Sequence, residues 1–463
     1  MRAAPEQSST FEVARELFRL AWPAVMVGFL QTAVFLADRL LLGRFSQDAL
    51  ASMQVQGPVL WSLFSVFGGV LVGTVPLVAR SVGAGDRARA EGAAHASLRV
   101  AFVVGVLVTL ACLALVEPIV VGLGPKNDVV RELSRRYLVV AIFAFPPMFV
   151  AWTAALVLNA AGNTRTPFVV GLLTNGVNVV ANVVLIFGAD LGPLGRVPAL
   201  GVTGSAIGSV LAFTLEASLL SWVLSRASSP VRVVRPWRSG GATERAARRD
   251  LFRLGGPAVL ERIAIHAGYL AYTSVVTRLG PLVMASNQAL ITLESICFLS
   301  ADGFGVAASA LVGQALGRGA KGSATRAGWL GSALCAAALS SLGLGIWAAG
   351  PVLLGAFVPT GQDGSALVAT SQSALPLLAL SQPFMAAAVV LSASLRGAGD
   401  TMSPLYSAVV GGALVRVGLA VWLGLELELG VRALWLASAA DWVTRTLWLA
   451  AAFARGRWQE RRV

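Results

Sequence analysis

The sequence predicts an all-α polytopic membrane protein: twelve transmembrane helices in two pseudo-symmetric six-helix lobes. Three observations carry that expectation. The 463 residues are 56% hydrophobic and only 13% charged, with a mean hydropathy of +0.75, whereas soluble domains carry roughly 25% charged residues. Uncharged Leu-, Val- and Ala-rich runs of 18 or more residues recur along the whole chain. As helices these runs cross a hydrocarbon core of about 30 Å while satisfying their own backbone amides. Finally, Leu17–Val25 (LFRLAWPAV) returns as Leu251–Val259 (LFRLGGPAV), a register of 234 residues.

That register carries Arg44 onto Arg278, Ala51-Ser52 onto Ala285-Ser286, Gln54 onto Gln288 and Val78 onto Val312. It also carries Gly83 and Gly85 onto Gly317 and Gly319. The period is far too long for a solenoid, so one apolar unit is written twice. The first half supplies spans near 20–42, 52–79, 97–117, 136–158, 167–188 and 200–225. The second supplies 255–277, 286–312, 328–350, 369–394, 404–425 and 431–454. Six spans per half bring both halves in from the same side, the geometry of a parallel repeat about an axis along the membrane normal.

The loops between spans confirm the order. Basic residues gather in alternate loops: Arg80, Arg87, Arg89 and Arg99; Arg226 to Arg253; Arg318, Lys321 and Arg326; Arg455 to Arg462. This alternation is the cytoplasmic excess of an inner-membrane topology, and it places both termini in the cytoplasm. The net charge of +13 therefore belongs to short loops, and no basic stripe suggests nucleic acid. The plan reads as an N-terminal segment 1–16, a first lobe 17–225, a linker 226–250, a second lobe 251–454 and a tail 455–463. No cleavable signal is expected, because no small-residue cleavage site follows the first apolar segment. Cys112, Cys297 and Cys335 are isolated in apolar segments, a pattern that argues against a disulfide framework or a zinc site. With 34 Arg against 2 Lys, the composition suggests a GC-rich bacterial source.

Between the fourth and fifth spans of each half the register slips to 237, aligning Leu158, Gly162, Thr164 and Pro167 with Leu395, Gly399, Thr401 and Pro404. NAAGNTRTP and RGAGDTMSP are thus one loop, in which a Gly-Asn-Thr or Gly-Asp-Thr turn before Pro ends one helix and starts the next. These loops, ADRLLLGRFSQDALAS in the first span, VARSVGAGDRARA and the duplicated plan together resemble the multidrug and toxic compound extrusion (MATE) family, prokaryotic type. The resemblance covers nearly the whole chain. It implies two six-helix lobes around a central cavity that opens alternately to either side. It also implies a monomeric secondary antiporter, which expels organic, often cationic and amphipathic, compounds against proton or sodium entry.

An ionisable side chain at membrane depth is costly and marks a functional site by default. Asp38 is the clearest case, and its register mate is Tyr272, so the repeated scaffold does not require the acid. By resemblance it is the first-helix carboxylate that binds and releases the coupling cation; the bland alternative is pairing with Arg39 near the headgroups. Asn175, Asn178 and Asn182 stand three and four apart on one face of the fifth span, either as cation ligands or as helix–helix hydrogen-bonding groups. Many relatives carry an acid at the position of Asn182, and an amide there cannot titrate. Coupling therefore falls on Asp38, with sodium at Asp38, Asn178 and Asn182 as the alternative to a proton. The acids of the sodium-coupled branch fall near Ile265 and Met385, and neither is acidic.

Candidate substrate contacts are Glu294 and Asp302 on one face of the eighth span, His266, Tyr272, Phe35 and Met385. Glu294 or Asp302 could instead pair with Arg416 or Arg278, and His266 could be a satisfied core residue. Aromatic side chains including Trp61, Phe64, Phe149, Trp152 and Tyr269 offer either a pliable cavity wall or ordinary packing. Glu261 is expected to pair with Arg262, and Asp441 with Arg445 four residues on; Glu216 has no visible partner. GRGAKG at Gly317–Gly322 satisfies G-x-G-x-x-G without a preceding strand, and no Walker A, HExxH or GxSxG motif lies in a span. The chain therefore reads as a transporter, not an enzyme, with no cofactor beyond the coupling ion. A lipid-linked precursor flippase would need a strongly basic cavity, and a purely structural membrane protein would not need Asp38.

Overall fold

A computed structural model describes residues 9–122, 127–190, 195–233, 241–358 and 363–461. Part of the expected linker (234–240) and the ends of the two terminal segments lie outside the described residues. In the first half the helices are α1 (Thr10–Phe45), α2 (Gln47–Gly68), α3 (Thr74–Gly83), α4 (Arg87–Gly122), α5 (Asp128–Ala141), α6 (Phe145–Ala160), α7 (Arg165–Phe187) and α8 (Val202–Ser225). In the second half they are α9 (Ala242–Arg278), α10 (Pro281–Gly317), α11 (Lys321–Ala348), α12 (Gly350–Gly355), α13 (Ser365–Gln372), α14 (Leu375–Gly397), α15 (Met402–Ser407), α16 (Arg416–Val421) and α17 (Val431–Ala454). A two-residue hairpin pairs β1 (Ala189–Asp190) with β2 (Arg196–Val197).

The protein is an all-α polytopic membrane protein. Ten segments among the described residues are long and apolar enough to cross a membrane. Helices α9 and α17 are as long but more polar, because α9 carries Glu261, Arg262 and His266 and α17 carries Arg432, Asp441 and Arg445. Many large apolar side chains are exposed, Leu107, Val180 and Leu270 among them, as lipid-facing surfaces require.

Three of the expected spans are broken. Residues 52–79 form α2, a 3₁₀ turn at Gly69–Gly73 and α3; residues 136–158 form α5, a 3₁₀ turn at Ile142–Ala144 and α6. Residues 369–394 divide between α13 and α14. Pro146 and Pro376 stand in the first turns of α6 and α14, where a missing N–H costs nothing but prevents the preceding helix from running on. The 404–425 span is not uniformly α-helical either: Ala408–Val415 and Trp422–Glu426 are π-helical.

The duplication is visible in the turns. Gly162 and Gly399, aligned by the 237 register, have φ of 84° and 85°, a conformation that glycine alone adopts without strain. The next residue then caps the following helix in each case. Asn163 Oδ1 accepts from Thr166 N–H at 3.1 Å, and Asp400 Oδ1 accepts from Met402 and Ser403 N–H at 3.2 Å. Gly201 and Gly430, before α8 and α17, share φ of 55° and 58°, which sets a register of 229 between those helices.

The chain divides into two compact units, Met26–Arg253 and Met1–Val25 with Leu254–Val463. The division falls inside α1 and inside α9. In the unit of the first half, Glu244 of α9 pairs with Arg99 of α4 at 2.6 Å, and Thr243 lies against Gly92. In the other unit, a core including Leu17, Cys297, Cys335, Leu395 and Trp435 joins α1, α10, α11, α14 and α17.

Candidate functional site

Within Met26–Arg253, Asp38 lies on the buried face of α1, only 8% exposed. Its carboxylate accepts a hydrogen bond from Asn182 Nδ2 at 2.6 Å, and the same amide donates to Asn178 Oδ1 at 3.2 Å. The four-residue spacing on α7 stacks the two asparagines on one face, and both are buried. Asn175, one turn earlier, is half-buried and outside this chain of contacts.

Gly208 of α8 makes room for the arrangement. A Cβ at that position would collide with Asn182 Oδ1, so the glycine and the buried amide require each other. Asn182 Oδ1 has no hydrogen-bond donor among the described residues. Tyr137 of α5 completes the site: its buried hydroxyl pairs with Ser209 of α8 and lies within electrostatic reach of Asp38. Tyr137 was not legible in the sequence, since one Tyr at the start of an apolar span carries no periodic signal. No basic side chain pairs with Asp38 among the described residues; Arg39 is exposed. The site therefore offers one carboxylate, two amide oxygens and a phenol, without an internal counter-ion. Such a set suits a proton or a small hard cation.

The other unit holds two mixed-charge clusters. Glu261 pairs with Arg396 of α14 at 2.5 Å rather than with its neighbour Arg262, and Asp302 lies within reach of Arg262 and Arg396. His266 faces Arg262. In the second cluster Asp441, fully buried, pairs with Arg445 at 2.6 Å and with Arg416 at 3.0 Å. Glu294 shares that cluster with Arg416 and Trp442, while Arg278 is exposed at the end of α9. The Tyr272 hydroxyl donates to Asn287 Oδ1 at 3.2 Å.

Met385 is wholly buried in its unit's apolar core, whereas Phe35 is 53% exposed three residues before Asp38. Phe64 stacks with Phe149 at 5.4 Å and meets Trp152 edge-on at 5.2 Å. Those rings pack against one another in the Met26–Arg253 unit.

The chain matches the MatE family model twice, over residues 23–184 and 257–422, and the two matches begin 234 residues apart. It is 26% identical over 460 residues to a probable multidrug resistance protein NorM of Thermotoga maritima, covering 98% of this chain and 94% of that protein. Identity is 30% over 435 residues to the probable NorM of Deinococcus radiodurans, covering 93% and 92%. Among solved structures, an outward-facing multidrug resistance MATE family transporter superposes with a TM-score of 0.85 at 20% identity, covering 96% of this chain and 97% of the other. A eukaryotic MATE transporter does so with a TM-score of 0.82 at 17% identity, covering 97% of each.

Proposed function

The chain belongs to the MatE family, and from that premise we propose that it is a secondary antiporter of the bacterial cytoplasmic membrane. It exports organic, amphipathic and predominantly cationic compounds in exchange for protons. The observation that carries the reading is Asp38: a carboxyl buried in a membrane-spanning helix, held by the Asn182 amide and paired with no basic side chain among the described residues. Isolated negative charge at such depth is expensive, so the group alternates between a proton and whatever cation replaces it.

In one conformation the ionised Asp38, steadied by Asn182 and Tyr137, coexists with bound substrate. In the other, protonation cancels the charge and loosens the Asn182 contact. Drive comes from the difference in affinity between the two states. The relatives' names support drug-like substrates. Both termini and the basic loops lie in the cytoplasm, the protein acts as a monomer, and no cofactor takes part.

One observation favours a second coupling ion. Asp38, Asn178 and Asn182 gather oxygen ligands, and Asn182 Oδ1 has no donor among the described residues, which fits sodium at this same site. Inside-out vesicles decide both points. Substrate addition to a pre-acidified lumen is expected to release protons in the wild type, and Asp38→Asn is expected to abolish that release. Unchanged release in Asp38→Asn would overturn the coupling role, and exchange driven by a sodium gradient alone would transfer it to sodium.

A further inference from the structure

The elements that build the Asp38 site recur in the second repeat with different side chains. The 234 register places Tyr272 where α1 carries Asp38. The 229 register set by Gly201 and Gly430 places Ser438 at the position of Ser209, and Asp441 at that of Ala212. On the segment that repeats α7, the π-helical stretch Ala408–Val415 immediately precedes Arg416. Extra residues per turn rotate everything that follows, so Arg416 and not Val415, the mate of Asn178, meets α17.

The Arg416 guanidinium donates from Nη2 to Ser438 Oγ at 2.5 Å, and its Nε lies 3.0 Å from Asp441 Oδ2. The rings of Tyr272 and Trp442 lie 5.8 and 5.7 Å from it. It thus bonds to the counterpart of Ser209 and lies within cation–π range of the counterpart of Asp38. Asp441 is fully buried and Glu294 has an oxygen buried without a donor. The cluster holds two carboxyl groups and two guanidiniums, with Arg416 and Arg445 both paired to Asp441. Among the described residues Tyr272 and Cys297 also titrate beside Glu294, and neither is basic.

We propose that Arg416 is a resident cation: its guanidinium fills, in the second repeat, the place that a coupling cation visits in the first. The second repeat then binds no exchanged ion, and Arg416 sets the number of ions moved per cycle. Its meaning for the cycle rests on the Asp38 exchange proposed above, but the cluster's need for a cation does not. Removing Arg416 leaves Asp441 and Glu294 facing Arg445 alone, a vacancy that a small free cation fills in competition with a proton on Glu294.

The test is thermal unfolding of purified protein in choline buffer, with sodium or low millimolar guanidinium added. Wild type is expected to show no shift with guanidinium, and any sodium shift in wild type is expected to disappear in Asp38→Asn. Arg416→Ala and Arg416→Gln are expected to melt lower and to recover by several degrees, saturably, as the cation binds. Arg416→Ala combined with Asp441→Asn removes one charge of each sign and is expected to ignore both cations. Equal melting of Arg416→Ala and Arg416→Gln with and without cations would overturn the proposal, as would an equal response in the double variant. So would failure to recover either single variant even with guanidinium present. Failure of Asp38 to couple protons would show in vesicles and leave this melting response untouched.

Discussion

At the scale of single residues, the Asp38 site depends on how closely α7 and α8 approach. Gly208→Ala would drive a methyl into Asn182 Oδ1 and push the amide off the Asp38 carboxylate. Overpacking of this kind costs about 1–3 kcal/mol, so the variant should melt lower and lose substrate-evoked proton release. Gly176 on α7 has open space around it, and Gly176→Ala should leave both readouts near wild type. Equal behaviour of the two variants would show that contact with Asn182 is irrelevant. Asp38 and the asparagine stripe were legible in the sequence because charge and amides stand out against Val and Leu. Tyr137 was not, and Arg416 was legible only as a candidate partner of Glu294 or Asp302, because contacts with Ser438 and Asp441 come from another helix. Arg416 finds Ser438 at 22 positions' separation, and nothing in the spacing announces it.

At the scale of elements, hydropathy and the repeat placed the helices, but not the breaks within them. The prolines of α6 and α14 were visible, yet whether a proline kinks a helix or restarts it depends on what packs around it. The π-helical stretch was less legible still. Gly411 and Gly412 lie where Cβ atoms would strike Asp441 and Arg445, so the segment's winding is tied to a salt bridge on a neighbouring helix. The early turns of α9 are a different case, held to α4 by a polar tie. The Arg99 and Glu244 side chains are 23% and 13% exposed, a partly shielded pair. Arg99→Ala is expected to lower stability by about 1–3 kcal/mol, and the double variant with Glu244→Ala by less than the sum of the two single losses. Additive losses on unfolding would show that the pair does not interact.

At the scale of the whole molecule, duplication supplies the scaffold and divergence supplies the chemistry. The turns at Gly162 and Gly399 are nearly superimposable in φ, whereas Asp38 faces Tyr272 in register, and the second repeat holds its own paired charges. If Asp38 is the one exchanging carboxyl, as proposed, one proton moves for each substrate. For a monovalent organic cation that exchange is electroneutral. At static head the substrate ratio should then follow the proton ratio, about tenfold per unit of pH difference, since each factor of ten is about 1.4 kcal/mol on both sides. A membrane potential imposed with potassium and valinomycin should leave that ratio unchanged. Two exchanged protons would instead give about a hundredfold per pH unit and a ratio that moves with the potential. Reconstituted wild-type protein with a lipophilic monocation distinguishes these outcomes directly. Arg416→Ala with sodium present provides the internal comparison, because a second exchanging site would make its ratio sensitive to potential.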